Sequence, residues 1–121
     1  MSLQESGKMY LNAIFLLKKD SAHLRSIDIA NYTGYTKPSV SRAVKLLKDK
    51  EYIKINNDGY IDFTQKGEEL ASSLYEKHLL LSEFFVSLGV SKECAREDAT
   101  KIEHYISDET LQAIKSHMAQ R

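Results

Sequence analysis

The segment from Ser26 to Asp62 constrains this fold more than any other part of the chain. Ser26-Ile27-Asp28-Ile29-Ala30-Asn31-Tyr32 reads as a short helix. Thr33-Gly34-Tyr35 follows as a turn, where Gly34 supplies the positive φ that a corner between crossed helices often needs. A second helix runs from Lys37 or Pro38 to about Lys50. Thr36 stands as its N-cap, and Pro38 falls in the first turn, where a missing N–H costs nothing. Ile53-Lys54-Ile55, Asn56-Asn57-Asp58-Gly59 and Tyr60-Ile61-Asp62-Phe63 then read as strand, turn and strand. Two helices across a tight turn, followed at once by a hairpin, form the pattern of a winged helix-turn-helix.

The second of these helices separates its faces. Val40, Val44 and Leu47 recur at i, i+4, i+7, with Ala43 and Leu46 beside them, so one stripe packs inward. Lys37, Ser39, Ser41, Arg42, Lys45 and Lys48 are left outside. Small hydroxyls and basic side chains at the start of such a helix suit base edges and phosphates. Arg42 can grip guanine with two hydrogen bonds, whereas Lys37, Lys45 and Lys48 suit phosphates. The candidate DNA contacts are therefore Thr36, Lys37, Pro38, Ser39, Ser41, Arg42 and Lys45. The plain alternative is a solvated face with ordinary lysines. The preceding helix, the turn and the wing favour DNA over it, although some winged domains bind proteins instead.

The overall charge of zero conceals an asymmetry. Residues 1–64 hold ten Lys/Arg against seven Asp/Glu, and residues 65–121 hold seven against ten, so the halves carry +3 and −3. The basic half is the one that holds the two helices and the hairpin, as nucleic-acid binding requires. The excess is small, which predicts modest non-specific affinity and dependence on dimerisation. At 121 residues the chain suits one good core, or a small domain with a helical extension. No apolar run approaches membrane-spanning length, and no signal peptide is legible, so a cytoplasmic protein is expected. The single cysteine, Cys94, excludes an internal disulfide framework and fits a reducing compartment. Met1-Ser2-Leu3 is given no weight in the fold.

The rest of the chain reads as helices. One runs from about Gln4 to Lys19 on a stripe of Tyr10, Leu11, Ile14, Phe15 and Leu17, and His23 is placed on the surface after it. Past the wing, Thr64 with Gly67-Glu68 opens a long helix to about Ser87. Leu70, Leu74, His78, Leu81 and Phe85 line it, with Leu79 and Phe84 adjoining. Gly89 breaks it and Ser91 caps a helix over about Lys92 to Ile106. Ser107-Asp108-Glu109 starts a last helix with Leu111, Ile114 and Met118 as apolar positions. The expected fold is mainly α with a small β-wing: a winged helix-turn-helix reader (1–64) followed by an α-helical dimerisation domain (65–121). Three amphipathic helices make a small core alone, which favours burial against a second copy. A two-fold dimer would set two reading helices one DNA turn apart, suiting a palindromic operator.

One constellation bears on regulation. Glu103 and His104 are adjacent, Thr100 lies within one helical turn of both, His78 sits on the preceding helix, and Met9 and Asn12 share a face of the first. Imidazole, carboxylate, thioether and amide oxygen together suit a first-row divalent ion. Spacing alone does not make that case and favours the plainer reading: a solvent-facing Glu103–His104 pair, Met9 as core filler and His78 capping a helix carbonyl.

Four segments carry a family likeness: Met9-Tyr10-Leu11 with Ile14; Pro38-Ser39-Val40-Ser41; Leu74-Tyr75-Glu76-Lys77-His78 with Leu79-Leu80; and Ile102-Glu103-His104 with Ser107-Asp108-Glu109. In this order, from about Lys8 to Ile114, the chain resembles the metal-dependent repressors typified by the diphtheria toxin repressor and the manganese transport regulators. The resemblance implies a winged reader, a helical dimerisation domain, and Fe²⁺ or Mn²⁺ as corepressor. Met9 matches the iron-type ligand of the first helix, and His78, Glu103 and His104 match retained ligands. Manganese-type members carry carboxylates where Met9, Asn12 and Thr100 stand. Iron-type members carry cysteine at 100, a carboxylate at Ser82 and a histidine at Arg96. The resemblance thus implies that three or four ligands survive of one site at Met9, Asn12, His78, Thr100, Glu103 and His104, and that the ancillary site is dismantled. Glu97, Glu83 and Glu5 are the carboxylates in reach as substitutes. An ion shared between the first helix and the helical part would fix the angle between reader and dimerisation domain and strengthen operator binding.

Two other functions share the reader. One is a metal-independent winged-helix regulator of the multiple-antibiotic-resistance type that senses a small molecule; the other is a protein-interaction module. An enzyme is the least favoured class: there is no Gly-rich phosphate loop, no HExxH and no nucleophile elbow.

Overall fold

The computed structural model describes residues 3–120, and among them the chain forms six helices and one two-stranded sheet. In order these are α1 (Glu5–Lys18), α2 (Ser26–Thr33), α3 (Lys37–Asp49), β1 (Ile53–Ile55), β2 (Ile61–Phe63), α4 (Gln65–Ser87), α5 (Lys92–Ile102) and α6 (Asp108–Ala119). The fold is mainly helical, as the periodicity predicts. The chain divides into two compact units, Met1–Ser72 and Ser73–Arg121. The division falls inside α4, some way past the 64/65 boundary expected from the end of the hairpin. The reason is packing: Ala71, on α4, is fully buried in the core of the first unit.

That core draws on every element of its unit. Leu11 and Ile14 of α1, Ile29 of α2, Val40 and Leu47 of α3, and Ile53 and Ile61 of the hairpin are all buried, each such Leu or Ile contributing about 1.5–3 kcal/mol. Met1 and Ser2 lie outside the described residues. Leu3, given no weight from sequence, is a core residue at 5% exposure. Leu46, expected beside the inward stripe of α3, is 46% exposed, because one residue along a helix turns a side chain about 100° away from it.

Gly34 closes α2 at φ 78°, and its N–H bonds the Ala30 carbonyl at 2.9 Å. This left-handed cap lets the chain turn sharply into α3. The hairpin pairs Ile53 with Phe63, Lys54 with Asp62 and Ile55 with Ile61. Alternation sends Ile53 and Ile61 inward and Lys54 and Asp62 outward. The Asn56 side chain accepts the N–H groups of Asp58 (3.0 Å) and Tyr60 (2.9 Å), which shapes the turn. Ile61 N–H donates to the Leu24 carbonyl at 2.7 Å, anchoring the hairpin to the link before α2. Lys18 adds an outer tie, 3.2 Å from the Asp62 carboxylate.

The passage from hairpin to α4 is closely built. The Thr64 hydroxyl donates to the Glu51 carbonyl at 2.6 Å and accepts the Gly67 N–H at 3.1 Å. Thr64 N–H bonds the Tyr52 carbonyl at 3.1 Å. Gly67 then passes so near that carbonyl that a Cβ there would collide with it.

In the second unit Leu81, Ala95 and Ala99 are fully buried. Leu79, expected beside the apolar stripe of α4, is 39% exposed. Ser91 and Ser107 cap α5 and α6 by accepting the N–H groups of Cys94 and Thr110. α5 stops at Ile102, not at the expected Ile106, and residues 103–105 form a turn. The Tyr105 N–H reaches back three residues to Ile102, so the final turn tightens before Ser107 opens the next helix. Among the described residues, no helix is long and apolar enough to cross a membrane.

Candidate functional site

The outward face of α3 is one candidate surface. Its N-terminus is fixed by Thr36, whose hydroxyl accepts the Ser39 N–H at 3.3 Å. The Thr36 hydroxyl in turn donates to Ser39 Oγ at 2.8 Å, and Arg42 Nη2 lies 3.5 Å from the same oxygen. Lys37, Pro38, Ser41, Arg42 and Lys45 are exposed, and Ser39 is half-buried. Opposite them Val40, Val44 and Leu47 are buried. The face is therefore held rigid from behind while its hydroxyls and cations stay reachable. At the turn end of the hairpin, the Arg25 guanidinium lies 4.7 Å over the Tyr60 ring, and His23, exposed as expected, meets that ring tilted at 59° with centroids 4.8 Å apart.

The second unit assembles a different chemistry. His78 projects from α4, while Glu103 and His104 stand on the turn beyond α5 instead of within a helix. Glu103 Oε2 is 3.2 Å from His78 Nδ1, and its other carboxylate oxygen is 3.9 Å from His104 Nε2. The side chains of His78, Glu103 and His104 are only 22%, 14% and 16% exposed. This rules out a solvent-facing Glu103–His104 pair and a His78 serving as a carbonyl cap. His104 Nδ1 is buried without a hydrogen-bond partner, and so is Ser82 Oγ, one turn after His78 on α4. A buried nitrogen left this way has lost hydration without replacement, so a further partner for His104 would stabilise it.

Two imidazoles and a carboxylate are the donor types that first-row divalent ions take, and the orphaned His104 nitrogen fits the same chemistry. The grouping is pairwise: Glu103 meets each histidine with a different oxygen. Among the described residues no three His, Cys, Asp or Glu side chains surround one point closely enough to chelate by themselves. Thr100 does not join them. It is exposed, and its hydroxyl donates to the Arg96 carbonyl one turn back at 2.9 Å, so it is engaged within its own helix. Glu97 and Glu83 are exposed.

In the first unit Asn12 is half-buried and Met9 is 41% exposed on α1, so Met9 is not core filler. Its sulfur accepts a hydrogen bond from the Tyr35 hydroxyl at 3.3 Å. Sequence reasoning read Tyr35 only as part of a turn. The signal available was an aromatic hydroxyl directly before the N-cap of α3. Glu5 is exposed at the start of the same helix. Cys94 is exposed, and the Asp98 carboxylate beside it, followed by burial and a weak hydrogen bond to Asp98, pushes its thiol above the usual range. A thiol held protonated is a poor nucleophile.

Comparison with known proteins places this geometry. Residues 64–120 match the family described as iron dependent repressor, metal binding and dimerisation domain. The transcriptional regulator MntR of Escherichia coli O157:H7 is 34% identical over 106 residues, covering 88% of this chain and 68% of the relative. An uncharacterised HTH-type transcriptional regulator of Methanocaldococcus jannaschii is 30% identical over 118 residues, covering 96% and 94%. The solved structure of the manganese regulator SloR superposes with a TM-score of 0.82 at 27% identity, over 100% of this chain and 56% of that one. The chain thus spans about two thirds of the Escherichia relative and little more than half of the SloR chain.

Proposed function

We propose, for a chain that belongs to the family of iron-dependent repressors and MntR transcriptional regulators, that it represses transcription by binding operator DNA as a homodimer, under the control of Mn²⁺ or Fe²⁺. The observation that carries this reading is the half-buried His78–Glu103–His104 set, with its orphaned His104 nitrogen, inside the segment that matches the metal-binding family. Met9 and Asn12, which offer a thioether and an amide oxygen, are proposed as donors on the family resemblance alone. Thr100, with its hydroxyl turned to its own helix, contributes least. When bound, the ion would supply positive charge that several weak donors share and so hold them in one arrangement.

The DNA-binding part is a winged helix-turn-helix made of α2, α3 and the β1–β2 hairpin, within a reader of residues 1–64. Its contacts are Thr36, Lys37, Pro38, Ser39, Ser41, Arg42 and Lys45. Arg42 reads a base edge and the lysines hold phosphates. Residues 65–121 form the dimerisation and metal-binding domain, and a two-fold dimer suits a palindromic operator read in the cytoplasm. Support for regulation over catalysis comes from the named relatives.

The test selects duplexes from a randomised pool on the protein in Mn²⁺, then titrates the selected duplex in Mn²⁺ and in chelator. The expected outcome is binding at least about fivefold tighter with the metal. Equal binding in both conditions would overturn metal control.

A further inference from the structure

The Tyr35 hydroxyl donates to the Met9 sulfur at 3.3 Å, although the two residues lie on different elements, 26 positions apart. The Tyr35 ring is braced by the buried Tyr10 ring, with centroids 5.8 Å apart at 60°. The Tyr35 N–H is fixed as well, donating to Thr33 Oγ1 at 3.2 Å, and that hydroxyl bonds the Ile29 carbonyl at 2.8 Å. Tyr35 immediately precedes Thr36, which caps α3. One side chain therefore joins the thioether on α1 to the first turn of the helix that carries the candidate base contacts.

We propose that Tyr35 is a positioning residue that holds the Met9 thioether for a metal ion and ties that sulfur to the N-terminus of α3. The inference rests on the reading of Met9 as a metal donor. A methionine side chain rotates about three bonds and is otherwise hard to fix. A thioether sulfur has two lone pairs. With one engaged by the phenol, the other is kept in a defined direction, and less freedom is lost when the sulfur takes a cation. The same bond carries any displacement of the sulfur into the Tyr35–Thr36 backbone, and so into Ser39, whose N–H and hydroxyl both bond Thr36.

The experiment compares wild type, Tyr35→Phe, Met9→Leu and the double variant. Tyr35→Phe keeps the ring on Tyr10 and removes only the hydroxyl; Met9→Leu keeps volume and removes only the sulfur. In metal-free protein, the ¹³C resonance of the Met9 methyl group should move from a single-rotamer to an averaged position in Tyr35→Phe. Met9→Leu should shift the Thr36 and Ser39 amide resonances in the wild-type background and leave them unmoved in the Tyr35→Phe background. Calorimetric titration with Co²⁺ should show about threefold weaker binding in Tyr35→Phe, as expected for one weak hydrogen bond, with no such loss when Tyr35→Phe is made on Met9→Leu. An unchanged methyl resonance and Co²⁺ affinity in Tyr35→Phe, or an equal loss in both backgrounds, overturns the role of Tyr35 while leaving Met9 a donor. Co²⁺ binding by Met9→Leu at wild-type affinity, or none by the wild type, overturns the donor reading and the proposal together.

Discussion

His78 and Glu103, 25 positions apart in sequence, meet at 3.2 Å between Nδ1 and Oε2, with both side chains largely shielded from water. Glu103 also faces His104. Loss of Glu103 therefore removes a neighbour from both histidines. Glu103→Ala, and equally the pair Glu103→Ala/His104→Ala, should weaken Mn²⁺ binding by more than about tenfold in a calorimetric titration, with helical content unchanged. Wild-type affinity in the single variant would remove Glu103 from the donor set.

Arg42 and Lys45 should separate on one experiment. Arg42→Ala is expected to cost about 1–3 kcal/mol on the selected duplex and to relax preference at one base pair. Lys45→Ala should weaken all duplexes alike and lower the slope of log affinity against log salt by about one. A salt series on both variants checks this. Parallel behaviour of the two would mean that Arg42 touches phosphate only.

Two glycines should respond in opposite proportion to what helix propensity suggests. Gly67 lies within α4, where alanine is favoured by about 1 kcal/mol, yet its Cβ would strike the Tyr52 carbonyl. Backbone cannot swing aside as a side chain can, so Gly67→Ala should destabilise by more than about 2 kcal/mol. Gly34 has open space around it and only its positive φ to defend, so Gly34→Ala should cost about 1–2 kcal/mol. Urea midpoints of the two variants test the order.

The first unit was legible because its signals are local. Thr36 with Pro38 announced the start of α3, and the Asn56–Gly59 turn set the register of Ile53 against Phe63. The end of α5 was not legible. Residues 103–106 contain neither Gly nor Pro, and the helix yields there through a tightened turn that only the backbone shows. Thr100 was expected beside Glu103 and His104, but its hydroxyl bonds the Arg96 carbonyl instead. Leu3 was missed because a lone leucine before a helix has no periodicity to read. The contact between Tyr35 and Met9 depends on how α1 packs beside the turn, which no spacing within either segment encodes.

Asp62 gives the fold a pH dependence. Burial pushes its carboxyl upward, but the Lys18 hydrogen bond, the Phe63 N–H and the charges of Lys18 and Lys54 together outweigh that and hold it below its ordinary 3.8. A lowered carboxyl stabilises above its unfolded value and loses that contribution as pH falls through the folded one. Asp62 is 59% exposed, so solvent screening limits the effect to about 0.5 kcal/mol. Asp62→Asn should thus be slightly less stable than wild type at neutral pH, and the gap should close in acid below pH 3.8 and in high salt. A gap that persists in acid would assign the effect to packing.

The hydroxyls of Thr36 and Ser39 and the guanidinium of Arg42 are already engaged with one another before any duplex arrives. If these residues read DNA as proposed, docking on a matched sequence would exchange these bonds for new ones of similar strength, so the net attraction gained would be small. A mismatched base would break the internal set and offer nothing in return, leaving desolvated groups stranded. On the proposed DNA-binding reading, the start of α3 would then act as a discriminator more than an adhesive, penalising error while the lysines around it supply the grip.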